Sequence, residues 1–560
     1  LKNGSNLNVE IPFNYWSENN GRTYSNKVAV KLSESLSALL IYTSEVSGAT
    51  KTAAPSRYID DVNAYGDNIL FNLQYDIDEQ SIINIVLEEI NRNVRIDSAQ
   101  SNLDDMSSPF SSYEKLISTT ITDRTRISAK YSHESTNDGS FLQKMTSTIY
   151  IQNAKVNDNF SRTVKSFDRI KREDKIYSLS NDLIGFNSEF LSNILVFGKL
   201  HDIVYGFNVS RNDGSRIRVT KNRTTGLSET IKDTPDTKTW RARFFIQDQF
   251  TLGNLDFSAA LGYDYYSLNS KNDIIYNPDQ ADYILASDQS YQVVSPKLSV
   301  SYRFTDNSSI YARYSQGFRP PAWYELSSSF ANPSLGYITL SNPDLKPETS
   351  KDFEIGYKHN GDNYALTFAA YYNRYSDFMD AFAEASLYNY GSRTLTAYQT
   401  QNVADAEIYG VEFEGIYYFS PHQEGFYIGN VFAWSEGNDL ADNIPLETIV
   451  PVTNRLSAGY QAFNDRWNIS IGMTYTGRPR LRSDYQDEQP YYIPSTSLVF
   501  DFDAYWRLTD SISLNASINN LTNQIYYNFQ DVRGRDGSTG DIRRFSQPER
   551  NFQLGVKFTF

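Results

Sequence analysis

The sequence predicts an all-β protein: a transmembrane antiparallel β-barrel of about 22 strands, with long loops on one side and short turns on the other. Three observations carry this. Apolar and polar residues alternate with period two from end to end, the signature of strands with unlike faces. Short turn-forming connections alternate with long polar ones. The chain ends on Phe560, which belongs to the apolar row of its last strand.

The alternation is clearest in Leu498, Phe500, Phe502, Ala504, Trp506 and Leu508, set against Val499, Asp501, Asp503, Tyr505 and Arg507. One face is apolar and the other carries two carboxylates and a guanidinium, so the strand separates lipid-like from water-like surroundings. Val294 to Phe304, Tyr364 to Asn373, Ser511 to Ile518 and Phe552 to Phe560 repeat it. The competing reading is a large soluble sandwich or propeller. Against it stand the aromatic ends of the apolar rows, the alternation of connection lengths and the terminal aromatic, which resembles the recognition signal of outer-membrane barrels.

The connections follow in order. A hairpin at Glu18-Asn19-Asn20-Gly21 opens the series. Short turns are expected at Ser33-Glu34-Ser35, Asp76-Ile77-Asp78-Glu79, Asn137-Asp138-Gly139, Thr305-Asp306-Asn307-Ser308, Gly361-Asp362, Phe463-Asn464-Asp465 and Thr509-Asp510. Most consist of Asp, Asn, Gly or Ser, the usual turn formers. Long polar segments are expected at 47–63, 94–119, 155–175, 214–238, 271–291, 317–349, 379–406, 438–451, 479–494 and 526–549. Closure is required, because an open sheet edge is not tolerated in a bilayer. Barrels of this size are transporters with a plugged lumen.

Bulk properties agree. The 560 residues are 14% aromatic, with 42 Tyr and 33 Phe against 4 Met, a bias toward strand formers and interfacial girdles. No run approaches the roughly 18 apolar residues of a membrane helix. The absence of Cys excludes disulfides, thiolate metal sites and cysteine nucleophiles. A net charge of -15 argues against a nucleic-acid partner. There is no G-x-S-x-G, P-loop or H-E-x-x-H, and no enzyme is expected. His133, His201, His359 and His422 show no metal-ligand spacing, so no metal site is assigned.

The segment from Gly317 to Ser350 organises the chain. Arg319-Pro320-Pro321 stops a strand by removing two backbone donors. An aperiodic run follows, and Asn342-Pro343-Asp344-Leu345-Lys346-Pro347-Glu348 closes the loop. Long loops bracketed in this way carry function, or else seal a rim.

Phe318-Arg319-Pro320-Pro321 resembles a "FRAP" box and Asn342-Pro343-Asp344-Leu345 an "NPDL" box. The pair is similar to the haem, haemoglobin, transferrin and lactoferrin branch of the TonB-dependent outer-membrane receptors. Ser295-Pro296-Lys297-Leu298 with Tyr311 to Phe318, Ala406 to Gly415, and Asn519-Asn520-Leu521-Thr522-Asn523 extend the resemblance over nearly the whole chain.

The resemblance implies an outer-membrane receptor that takes haem, a haem-carrying protein or a ferric chelate as transported ligand rather than as permanent cofactor. Energy comes from the TonB-ExbB-ExbD complex through a plug. Strand pattern begins at once with Leu7, Val9 and Ile11, so residues 1–560 are read as the barrel without its N-terminal plug, a portion of a longer protein. Outer-membrane lipid and lipopolysaccharide are expected partners. A monomer is expected, since a closed barrel has no free edges.

Ligand-binding candidates are Phe318, Arg319, Trp323, Tyr324, Phe330, Tyr337, Asn342 and Asp344. Phe318 to Asn342 contains no His, the residue that haem receptors of this branch often supply there. Tyr337 is therefore the candidate axial ligand or stacking residue, because Tyr can ligate haem iron. Trp323 and Phe330 would meet a porphyrin face. These aromatics would equally pack the loop onto the rim. Arg478-Pro479-Arg480-Leu481-Arg482, Arg533-Gly534-Arg535 and Arg543-Arg544 would attract anions or form solvated loop faces. The alternatives are a receptor for ferric siderophore or another large nutrient, a passive pore, and an adhesin.

Overall fold

The computed structural model describes residues 6–560 apart from 108–110, 138–139, 168, 233, 272, 274, 277–287, 328–329, 333–336, 391–392, 421–422, 463–465, 482–490, 536 and 538–541. Twenty-two antiparallel strands form the wall. They run β1 Leu7–Trp16, β2 Gly21–Lys31, β3 Leu36–Gly48, β4 Asp61–Asp76, β5 Ser81–Asp97, β6 Ser112–Glu134, β7 Leu142–Ser166 and β8 Arg169–Val196. Next come β9 Lys199–Asn222, β10 Asp236–Leu252, β11 Leu255–Lys271, β12 Gln289–Thr305, β13 Ser308–Arg319, β14 Glu348–Asn360 and β15 Tyr364–Tyr390. The wall ends with β16 Arg393–Tyr418, β17 Gly425–Asp439, β18 Thr453–Gln461, β19 Trp467–Thr476, β20 Ser497–Thr509, β21 Ile512–Asn519 and β22 Asn551–Thr559. Three short helices lie in loops: α1 Gln100–Asp105, α2 Trp323–Ser327 and α3 Phe529–Val532. No helix among the described residues is long and apolar enough to cross a membrane.

The first and last strands close the cylinder. β1 pairs with β22 from Glu10↔Thr559 to Trp16↔Gln553. Phe560 completes the seam, exchanging backbone hydrogen bonds with Val9 at 2.9 and 3.1 Å. No sheet edge is left in the wall, as the bilayer demands.

Register sorts side chains onto two faces. Phe502 lies opposite Ile471 and Ile518, Ala504 opposite Ile469 and Ala516, and Trp506 opposite Trp467 and Leu514. This outward row ends near the short turns in exposed aromatics, including Tyr302, Phe304, Tyr417, Phe419, Phe426 and Trp506. Phe426 meets Tyr460 edge-on at 4.9 Å, and Tyr460 stacks on Trp467 at 5.1 Å, forming part of an interfacial girdle.

The opposite face is polar and cross-linked. Arg455 reaches Asp501 at 3.0 Å and Asp503 at 3.8 Å, while Ser517 donates to Asp503 at 2.8 Å. Asp501 and Asp503 therefore sit on the lumen face, as the alternation predicts. On the far wall Tyr311 lies opposite Gly356, and a Cβ there would stand 2.5 Å from the tyrosine ring. The missing side chain lets the Tyr311 hydroxyl reach Glu354 at 2.8 Å, beside the Arg313–Glu354 ion pair at 2.6 Å. His201 and Asp248 share the outward row with Phe250 near a short turn, paired at 2.9 Å and stacked on that ring at 4.5 Å.

Two expected loops are strands instead. The described residues of 155–175 belong to the β7/β8 hairpin, and those of 379–406 to the β15/β16 hairpin. Above the membrane both faces of a strand meet water, so the polarity alternation that marks a strand disappears. β15 and β16 outrun their neighbours: pairing with β14 stops at Ser376 and pairing with β17 at Ala406. Residues 377–390 and 393–405 continue as a two-stranded ribbon, kinked by register shifts between Tyr375 and Ser386.

Two short turns, Val196 to Lys199 and Leu252 to Leu255, are absent from the sequence reading. The first places Phe197 and Gly198 at φ 48 and 73, a mirror-type turn whose apolar Phe hides it. Asn137-Asp138-Gly139 in part, Phe463-Asn464-Asp465, His422, Arg482 and most of 271–291 and 479–494 lie outside the described residues.

The Asn-rich end of β21 has a physical cause. Asn520 and Asn523 adopt φ 52 and 53, a region that Asn tolerates. Asn520 is buried; its side chain donates to the carbonyls of Gln524 and Pro548 and accepts the Gln524 N–H. Replacing Asn520 with Ala should cost roughly 2–4 kcal/mol from lost buried hydrogen bonds and left-handed strain, lowering the melting temperature in micelles. Placing Arg at outward-facing Phe502 should cost about 2–4 kcal/mol if that position lies at mid-membrane. Asp503→Asn, on the wet face, should refold like the parent when both are followed by gel-shift of the folded barrel.

Candidate ligand-binding site

The β13/β14 loop is built from its two box ends inward. Register places Arg319 directly opposite Glu348 where the strands finish. The Arg319 Nε and Nη2 donate to the Glu348 carboxylate at 2.6 and 2.9 Å. Its Nη1 donates to both Glu325 oxygens at 2.9 and 3.0 Å. The hydrogen bonds it donates to Glu348, joined by those to Glu325 against the opposing pull of burial, raise the guanidinium further above its ordinary range. Glu325 also accepts the Ala322 N–H at 2.7 Å, fixing the start of α2, and Glu348 accepts the Met379 N–H at 2.8 Å from the tall ribbon. A single arginine thus joins both boxes, the loop helix and the β15/β16 hairpin.

An apolar cluster completes the seat. Leu326 from α2, Leu345 from the second box and Met379 from the ribbon bury themselves against Tyr266 and Leu268, with Trp323 and Tyr291 packed alongside. Tyr266 and Leu268 belong to the same row of β11 as Asp264, opposite the outward Tyr263, so the loop tucks into the mouth against the wet side of the wall. Each of the three loop side chains contributes about 1.5–3 kcal/mol by burial. Tyr291 donates to the Leu345 carbonyl at 2.8 Å and Gln289 to the Pro343 carbonyl at 2.7 Å.

The second box is a turn held by its Asn. Asn342 Oδ1 accepts the Asp344 N–H at 3.0 Å, and its Nδ2 donates to the Thr400 carbonyl at 2.7 Å. Asn402 accepts the Lys346 N–H at 2.8 Å and returns a bond to the Lys346 carbonyl at 3.0 Å. The short strand Tyr337–Leu340 pairs in parallel with Thr396 to Gln399 of the ribbon. Ile338 is fully buried there against Leu395 and Ala397.

The eight candidates therefore separate. Arg319 and Asn342 are committed to holding the loop. Phe318 sits in the row of Tyr314, whose partner Phe353 is exposed on the outer face, and so turns away from the mouth. Trp323 packs into the apolar seat, with its ring edge-on to Tyr324 at 5.6 Å. Tyr324 and Asp344 are exposed. Tyr337 is half-buried, 6.3 Å from Tyr398. Phe330 pairs with Thr339 along the backbone, and its side chain lies outside the described residues.

Sequence reasoning missed Glu325, Glu348, Met379, Tyr266 and Asn402. Only Glu348 carried a signal, ending the Asn342 to Glu348 segment that closes the loop. The others meet the loop across 6 to 56 residues of chain, a separation without local pattern. His133, His201 and His359 each bind a neighbouring Ser or Asp near the short turns, far from this loop.

Arg319→Gln removes the fork from both carboxylates. The expected result is roughly tenfold faster proteolysis within 319–348, the size of one lost charge-assisted hydrogen bond, with little change in barrel melting. Arg319→Lys should recover only part of the protection, since an ammonium cannot grip two carboxylates bidentately.

Comparison with known proteins agrees with this geometry. The family described as "TonB dependent receptor-like, beta-barrel" matches residues 44–521. The chain is 25% identical over 311 residues to the probable hemoglobin and hemoglobin-haptoglobin-binding protein 4 of Haemophilus influenzae, covering 49% of this chain and 30% of that protein. It is 25% identical over 363 residues to hemoglobin-haptoglobin utilization protein B of Neisseria meningitidis, covering 57% and 44%. The matches thus span less than half the length of these relatives. Among solved structures, the copper transporter OprC superposes with a TM-score of 0.73 at 15% identity, over 99% of this chain and 82% of that one. The chain belongs to the TonB-dependent receptor family, as its β-barrel.

Proposed function

We propose that this barrel is part of an outer-membrane receptor that takes up an iron-containing nutrient, haem or a haem-carrying protein. The observation that carries the reading is the seated loop: the chain's resemblance to haemoglobin-binding proteins coincides with two boxes that meet through Arg319 and present Tyr324, Tyr337 and Asp344 at the mouth. In this reading Trp323, Arg319 and Asn342 position the loop. Tyr337 lies beside the ribbon and supplies the phenolate for haem iron or a ring for stacking. Phe330 is the further candidate contact for a porphyrin face.

Uptake would require a plug moved by the TonB-ExbB-ExbD complex, and the 560 residues would be the barrel portion of that longer receptor. The cargo is a transported ligand and not a resident cofactor, and the role is transport, not catalysis. A closed seam leaves no edge to pair with another copy, so the barrel would act as a monomer, solvated by lipid and lipopolysaccharide.

One observation favours a second cargo. The segment from Phe318 to Asn342 holds no His, which suits a ferric siderophore. Titrating the purified barrel with haem distinguishes the two. A Soret shift that Tyr337→Phe abolishes supports haem ligated by Tyr337. A shift retained in Tyr337→Phe removes that residue as ligand and leaves the cargo reading standing. No Soret change, with quenching by a ferric siderophore instead, transfers the site to the second cargo.

A further inference from the structure

A cavity opens at the mouth, nearly as far round the wall from the box-bearing loop as the barrel allows. The β3/β4 loop that forms one side lies ten strands from the β13/β14 loop in a wall of 22. The other sides are α1, in the β5/β6 loop, and the β21/β22 loop, which reaches over the short β1/β2 turn. The cavity measures about 500 Å³ and is lined by Tyr58, Asn102, Met106, Arg535, Arg544 and Phe545 among others.

Its chemistry differs from the rest of the mouth. Two guanidiniums share one ring: the Cζ of Arg535 lies 4.5 Å from the Phe545 centroid and that of Arg544 4.7 Å. The surrounding structure holds this pair of like charges in place. Arg544 Nη1 donates to Asn102 Oδ1, a neutral amide. Asn102 in turn donates to Asp60 Oδ1 at 2.6 Å, and the same oxygen accepts the Ala99 N–H at 2.7 Å. The nearby carboxylate oxygen is thereby spent on the start of α1. Ser546 Oγ accepts the Ala53 N–H at 3.0 Å, tying the β21/β22 loop to the β3/β4 loop. The Arg535 carbonyl accepts the Tyr492 N–H at 2.8 Å.

Among the described residues Arg535 has no carboxylate partner. Arg319 and Arg480, the arginines of two other mouth loops, are both ion-paired, the latter to Glu436 at 2.7 Å. Arg535 thus lines a cavity with its guanidinium carbon over an aromatic ring. Guanidinium forks match planar oxyanions, and Phe545, Tyr58 and Met106 supply an apolar surface beside them.

We propose that these three loops form an anion-binding subsite for a carboxylate or phosphate group carried on a flat apolar scaffold. Arg535 grips the oxyanion, Arg544 adds charge beside the same ring, and the scaffold lies against the apolar lining. The proposal rests on this geometry alone and is independent of the cargo assigned to the box-bearing loop.

The test uses the purified chain in micelles with three fluorescent probes: 1-naphthoate, 1-naphthyl phosphate and neutral 1-naphthol. At least one anion should bind about tenfold tighter than naphthol, the size of one charge-assisted hydrogen bond. A carboxylate-only or phosphate-only preference supports the subsite and names its source chemistry. Arg535→Gln should remove that tenfold preference, Arg535→Lys should restore part of it, and Arg303→Gln, near a short turn, should leave it intact. Naphthol binding as tightly as both anions overturns the proposal, as does an Arg535→Gln variant with undiminished anion preference. Because Arg544 also contacts Asn102, the Arg535 variants decide the matter even if Arg544→Gln fails to fold.

Discussion

Backbone hydrogen bonding in a medium without water constrains everything else in this molecule. Each amide and carbonyl in the spanning region must find a partner within the sheet, so the first strand has to meet the last. The β1/β22 seam, finished by the Val9–Phe560 exchange, satisfies that demand. Once the cylinder closes, side-chain polarity has only one consistent arrangement: apolar rows toward lipid, charged rows toward the lumen. The Arg455–Asp501–Asp503 and Arg313–Glu354 clusters are charges kept on the wet side and paired there. Family membership and this architecture place the barrel in the outer membrane.

The same alternation explains what could be read from the sequence and what could not. Where lipid lies on one side and water on the other, polarity reports the strand, and the rows containing Phe502, Phe368 and Leu298 were legible for that reason. Where water lies on both sides, the code falls silent. The upper parts of β7, β8, β15 and β16 look like polar loops in one dimension and are ribbons in three. Most turns built from Asp, Asn or Ser were legible, although the Gly253-Asn254 turn, which carries the same signal, was missed. The Phe197-Gly198 turn was hidden because its first residue is a large apolar one.

The candidate site was half legible for a related reason. The two boxes announced a loop, and their internal chemistry (the prolines that end β13, the Asn342 turn) is local. The roles within the loop are not local. Arg319 reads as a free cation for a ligand until Glu325 and Glu348 are seen to occupy its donors. Phe318 reads as a contact until strand parity turns it outward. The apolar seat under Trp323 draws on β11, more than fifty residues away in sequence, and nothing in Tyr266 or Leu268 marks them as its floor.

The ribbon formed by residues 377–390 and 393–405 changes how a large visitor meets this protein. At about 3.3 Å per residue, the section of β15 above Ser376 extends roughly 45 Å along the strand direction. A macromolecule diffusing in from the surroundings would touch this turret before reaching the mouth. Because Tyr337–Leu340 is stitched to it edge to edge, any tilt imposed by such a collision would be handed directly to the segment carrying Tyr337. A load on the turret and the position of Tyr337 at the entrance would then be one mechanical event rather than two.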